Sequence, residues 1–235
     1  MGFFKKIFGK ENASRSSNSD KNDKERQSEK RITLPDVLAK KGDMNIRDVI
    51  KSCSSNELQK IINELPIESL ILDSTACSDV RLNDRLFQIC IQFSSVLANY
   101  DSIRNENPDF KLPVDLPAFE LSKNLIPRFV EQIKAQNTSD IFPAAGQEIF
   151  IFAQDLIKGG WNHEAFDCLS VCENIPGLNK NEVVFWSWAS LHNIATKTKV
   201  RKIIKRALEA SKKIPAGRRE EVAKAIEWER KQLFG

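Results

Sequence analysis

The sequence has little of what most catalytic or secreted chains are built with. Its nine glycines are scattered, and none fall at the spacing of a phosphate-binding loop, so no glycine-rich anion cradle is written into the chain. There are two histidines. His163 is followed by Glu164 but lacks the second histidine of a metalloprotease helix, and neither His163 nor His192 has a sequence neighbour that points to a proton relay. The five cysteines, Cys53, Cys77, Cys90, Cys168 and Cys172, are an odd number without framework spacing, and no secretory apolar region is present. A reducing cytoplasm is the simpler assignment. Cys168, Cys172 and His163 lie along one helix instead of across a tight turn, with no fourth ligand nearby, and read as structural residues instead of a zinc site. Alternating Val/Ile/Thr runs between turn signals are missing too, which argues against a sheet. The expectation is an all-α, non-enzymatic chain that uses no cofactor and holds no metal.

What is present is an uneven charge distribution behind a formal net charge of +4. Residues 1–31 carry nine Lys/Arg against five Asp/Glu, residues 197–235 carry thirteen against five, and residues 32–196 carry 14 against 22. An acidic middle thus stands between two basic ends. Residues 1–10 place Phe3, Phe4, Ile7 and Phe8 on one helical face, flanked by Lys5, Lys6 and Lys10. Such a patch suits the interface of an anionic membrane and is far too short to cross a bilayer. Docking on a partner or on the protein's own domain is the alternative. Lys6 stands where a myristoylation signal wants Ser or Thr, so acylation of Gly2 is not supported. Residues 11–31 hold almost no apolar side chain and are expected to form a disordered tether with a reach of roughly 25 Å.

A helical domain is expected from residue 32 to residue 235. Thr33 with Pro35 opens a short helix that ends near Gly42, and Asn45 with Asp48 and Ser54 with Glu57 mark two more helix starts. From Val80 to Arg104, Leu82, Leu86, Ile89, Cys90, Phe93, Val96, Leu97, Tyr100 and Ile103 keep a helical stripe, which predicts one long helix. A connection with Pro108, Pro113 and Pro117 leads to a helix near Ala118–Ala135 that Pro127 should kink or split. A last helix, residues 218–233, would cap the C-terminal end.

Residues 146–215 carry the clearest internal pattern. Ile149, Phe152, Ala153 and Leu156 share one face, Gly159 and Gly160 stop the helix, and Asn162 is placed to cap the next, where Ala165, Leu169 and Cys172 recur. Val200, Ile204 and Ala207 repeat that last trio 35 residues on, and Phe185, Trp188 and Ala189 repeat Ile149, Phe152 and Ala153 36 residues on. With Pro176 and Pro215 closing the two units, the block resembles tetratricopeptide-type repeats. The resemblance implies stacked antiparallel helical hairpins in an α-solenoid, with the small Ala165 where two helices cross. Cys172 departs from the usual alanine, His192 stands where a large apolar residue is expected, and the second unit lacks a glycine at its turn.

Two surfaces are candidates for binding. Trp186 and Trp188 point about 200° apart on a helix, which puts one of them in the packing between hairpins and the other on a groove wall or a neighbouring hairpin, unless all four tryptophans are buried in a multilayer stack. The dense basic run from Lys197 to Arg219 includes Lys202, Lys205 and Arg206 and offers a cationic face. These five residues are the candidate partner contacts. The sequence favours a protein-protein interaction scaffold that binds another protein or peptide, held at a membrane by Phe3, Phe4, Lys5, Lys6, Ile7, Phe8 and Lys10. A nucleic-acid-associated protein using residues 197–231 is the alternative. It is the less favoured because no aromatic residues interleave with the charges as single-strand stacking would want.

Overall fold

The computed structural model describes residues 34–38, 46–73, 76, 79–106 and 116–235, and the architecture is given for these. The N-terminal amphipathic segment, the tether, Cys77 and the signals at Thr33, Gly42 and Asn45 lie outside them. Among the described residues every regular element is a helix, and the one β-bridge joins Asp73 to Ile141. None of the helices is long and apolar enough to cross a membrane.

Three short helices come first: α1 (Leu34–Leu38), α2 (Ile46–Ser52) and α3 (Ser55–Glu64). At the start of α3 the Ser54 side chain accepts the Glu57 N–H and the Glu57 carboxylate accepts the Ser54 N–H, the reciprocal box that the sequence announces. A single 3-10 turn at Ile67–Ser69 follows. That turn and the chain just after it are tied by side chains from residues 128–136. Arg128 pairs with Glu68 at 2.8 Å, Gln132 donates to the Leu70 carbonyl at 2.9 Å, and Gln136 accepts the Leu72 N–H at 3.0 Å.

The long helix expected over 80–104 is two, α4 (Val80–Ala98) and α5 (Tyr100–Glu106). Asn99 leaves helical geometry at φ −111°, and its amide donates to the carbonyls of Ser95 at 3.0 Å and Asp155 at 3.1 Å. The side chain that breaks the helix therefore also binds it to a neighbour, which periodicity alone does not reveal. The opposite happens in α6 (Ala118–Lys134), which stays one helix through Pro127. Ile126, Phe129, Val130 and Ile133 are buried on both sides of the proline, and this packing holds the helix across the missing hydrogen bond.

Next come α7 (Pro143–Lys158) and α8 (Asn162–Cys172). Between them Gly160 takes φ +84°, while the Trp161 N–H reaches the Leu156 carbonyl at 2.8 Å and the Gly160 N–H reaches Ile157 at 3.1 Å. This is a Schellman closure, and it needs the left-handed residue that glycine supplies. Asn162 does not cap α8. Trp161 holds the cap position without a side-chain bond, and the Asn162 amide instead donates to the Gly160 carbonyl at 3.1 Å and accepts from Asn193 at 3.0 Å.

Helix α9 (Lys180–Thr198) is capped by Asn179, whose side chain accepts the Asn181 and Glu182 N–H groups. It ends on Lys199, a non-glycine residue at φ +55°, before α10 (Arg201–Ser211) begins. The expected last helix is again two pieces, α11 (Ala216–Glu221) and α12 (Ala223–Phe234), separated at Val222.

Packing joins helices near one another in the chain, but not always consecutive ones. Helix α4 lies against α6 and α7, α6 and α7 against α8, α8 against α9, α9 against α10, and α10 against α12. Buried apolar side chains fall into two clusters, one running from Val37 to Val183 and the other from Trp188 to Leu233. Helix α9 feeds both, with Val183 in the first and Trp188, Leu191 and Ala195 in the second.

Candidate protein-binding groove

Helices α8 and α10 both pack on α9, and the space between them is a groove of about 630 Å³. Its floor is one face of α9, where Val184, Ser187 and Leu191 recur at three and four. One wall is α8, with Phe166, Ser170 and Glu173; the other is α10, with Lys202, Lys205, Arg206 and Glu209, continued by Lys213. Amphipathic periodicity explains this division. The core faces of α8 and α10 are spent on Ala165, Leu169, Cys172 and on Ile204, Ala207, Leu208, which leaves the alternate stripes to border the gap.

The structure divides the basic run of the sequence into two groups. Arg201 donates to the Leu233 carbonyl at 3.0 Å, Lys212 pairs with Glu209 at 2.8 Å, and Arg219 donates to the Lys212 carbonyl. Arg218 pairs with Glu182 at 2.8 Å and lies 4.3 Å over the Phe185 ring. The three arginines tie α10 and α11 to neighbouring segments, while the Lys212 pair lies within the end of α10. Lys202, Lys205, Arg206 and Lys213 make no ion pair with a carboxylate among the described residues, and Arg206 sits 5.3 Å over the Phe166 ring at the groove edge. Four cations thus face two carboxylates, and the Lys212 hydrogen bond holds one of those, Glu209, below the usual carboxylate range. On the floor, Ser187 is 5% exposed and its hydroxyl has no hydrogen-bond partner.

The tryptophans do not line this groove. Trp188 is 3% exposed in the second apolar cluster, and its indole N–H donates to Glu229 Oε1 at 3.0 Å. Trp186 is half-buried against the first cluster and meets Phe185 edge-on at 5.5 Å. The two rings do point to different sides, but both sides are packing surfaces. Sequence reasoning missed Phe166, Val184 and Ser187, which α9 and α8 bring to the basic wall; their helical spacing is the signal that could have found them.

The residues weighed for chemistry fall elsewhere. Cys168 and Cys172 are fully buried in the first cluster, and burial pushes the Cys172 thiol up to about 12 and the Cys168 thiol well above its ordinary value. Neither is placed to act as a thiolate at neutral pH. His192 lies between two indoles, stacked on Trp188 at 5.3 Å and edge-on to Trp228 at 5.6 Å, and its Nδ1 is 2.9 Å from Glu229 Oε1. The polar residue where a large apolar one is expected is therefore matched by a buried carboxylate on α12. His163 is exposed at the start of α8. Among the described residues no three His, Cys, Asp or Glu side chains converge so as to hold a metal ion. A second hollow of about 410 Å³ lies at the α7–α8 turn, beside the exposed Phe119 and its ring neighbour Trp161 at 6.4 Å. Four of its polar side chains are already used: Asn99, Asn162, Ser122 and Thr198 all bond to backbone carbonyls of the fold.

No protein-family model matches the chain, and neither a curated protein nor a solved structure matches it.

Proposed function

We propose that the helical domain is a non-enzymatic interaction scaffold and that its partner, another protein, is taken at the groove between α8 and α10. The observation that carries this reading is the meeting of four cations, none in an ion pair among the described residues, with a partly apolar floor on one side of three packed helices. Half-buried apolar side chains bordered by charge match a recognition surface, with an apolar centre inside a polar rim. Support for a solenoid of repeated helix pairs, resembling tetratricopeptide-type repeats, comes from the successive packing of α7 on α8, α8 on α9 and α9 on α10 and from the left-handed turns at Gly160 and Lys199. Residues 1–10, which lie outside the described residues, would hold this scaffold at an anionic membrane. Their part of the reading is tested by sedimentation with anionic vesicles, where Phe4→Asp with Phe8→Asp should abolish binding.

The test of the groove is site-specific photocrosslinking of the full chain in the cells that make it. Benzoylphenylalanine in place of Lys205 or Arg206 should yield protein adducts that survive nuclease, while the same group in place of the exposed Lys224 on α12 should not. Adducts that vanish with nuclease would favour the nucleic-acid reading of the basic end. Equal yields at the groove and at Lys224 would remove the groove as the binding surface.

A further inference from the structure

The chemistry of the groove narrows the class of partner. We infer that it seats an acidic amphipathic helix, with the apolar face of that helix against α9 and its carboxylates against α10; this rests on the reading of the domain as a protein-binding scaffold. Three observations lead there.

The first is the backbone. All three sides of the groove are helices, whose N–H and C=O groups are spent on their own ladders. The groove residues include no Asn or Gln side chain to reach a neighbouring main chain, and Ser170 already donates to the Phe166 carbonyl at 2.9 Å. An extended peptide laid over this floor would find few acceptors for its N–H groups beyond the Glu173 and Glu209 carboxylates, and part of its main chain would be buried unpaired. A helix brings its own hydrogen bonds and meets no such cost.

Charge is the second. Lys202, Lys205, Arg206 and Lys213 make no ion pair among the described residues and outnumber the groove's two carboxylates, Glu173 and Glu209, so the occupant's matching flank is acidic. The third is the floor and its extent. Phe166, Val184 and Ala210 are each half-buried, leaving apolar surface that water covers until a partner does. The wall from Lys202 to Lys213 is roughly 16 Å long at the helical rise, enough for about three turns of a partner helix. Such a helix would lie against α8, α9 and α10 as the fourth member of a bundle.

The probe is a fluorescent peptide of about 15 residues with leucines at spacings of three and four and glutamates elsewhere. Its control has the same composition with the leucines spread around the helix, and a single-stranded oligonucleotide is the third probe. With the full chain, fluorescence anisotropy should show saturable binding of the amphipathic peptide, accompanied by a gain of helix in circular dichroism. The control should bind roughly tenfold more weakly or worse. Lys202→Glu with Lys205→Glu and Arg206→Glu should abolish binding without changing the melting curve, as should Val184→Lys on the floor. Equal binding of the two peptides, or binding indifferent to the Val184 substitution, would overturn the helix and leave a merely electrostatic surface. Tighter binding of the oligonucleotide, falling steeply with salt, would overturn the acidic-protein occupant. If neither peptide binds while crosslinks to protein form at Lys205, the occupant is wrong and the scaffold reading stands.

Discussion

The indole N–H of Trp188 donates to Glu229 Oε1 at 3.0 Å, and through this bond the last helix, α12, is fastened to α9. Glu229 is 0% exposed, its second oxygen has no hydrogen-bond partner, and His192 Nδ1 meets the bonded oxygen at 2.9 Å. Glu229→Ala should leave the indole and the imidazole facing a cavity without an acceptor and lower stability by about 1–3 kcal/mol. Glu229→Gln keeps a side-chain acceptor of nearly the same shape for the indole, so it should cost less. Thermal melts rank the two variants, and hydrogen exchange should show faster exchange over residues 223–234 in the alanine variant. Equal stability of all three proteins would show that the bond does not fasten α12.

Lys199 closes α9 at φ +55°, a conformation that glycine adopts freely and an L side chain does not. Lys199→Gly should therefore stabilise the protein by up to about 1 kcal/mol. A rise in the denaturant midpoint at unchanged slope is the expected signature; a fall would mean that the lysine side chain contributes more than its backbone costs.

Glu148 donates nothing and accepts from Gln88 at 2.5 Å across the α4–α7 contact. Burial first, and the nearby Asp84 as well, hold its carboxyl above the ordinary value, against the opposing effect of the Gln88 bond. A carboxyl raised in the folded state favours folding most when protonated, and this contribution is lost as pH climbs through the raised value. Glu148→Gln should thus melt higher than the parent near neutral pH, with the difference closing at about pH 4 and below, under the ordinary carboxylate range. A gap that is constant with pH would rule out titration of Glu148 as its source.

Ala165 is fully buried on α8, between helices that pack on both of its sides. Three added carbons have no space there, and Ala165→Leu should overpack the site by roughly 1–3 kcal/mol. An unchanged melting temperature would show that the helices next to Ala165 can yield.

Much of the fold is legible residue by residue because the signals are local. The Ser54 and Glu57 box, the glycine turn at 159–160 and the apolar stripe of α7 depend on neighbours within about a turn, where bonding and periodicity act. The groove is half legible in the same way: the basic face of α10 shows in its spacing, as do the half-buried positions of α8 and α9. What the chain order could not decide is which cations are free, since Arg201 finds its carbonyl 32 residues away and Arg218 its carboxylate on another helix. Tertiary pairing likewise placed Trp188 inside, because its acceptor lies 41 residues further on. Asn99 broke a long helix for the same reason, to reach a carbonyl 56 residues away. A helix period records which residues share a face and is silent on what that face will meet. The burial of Glu229, and with it the role of His192, therefore belongs to the packed molecule.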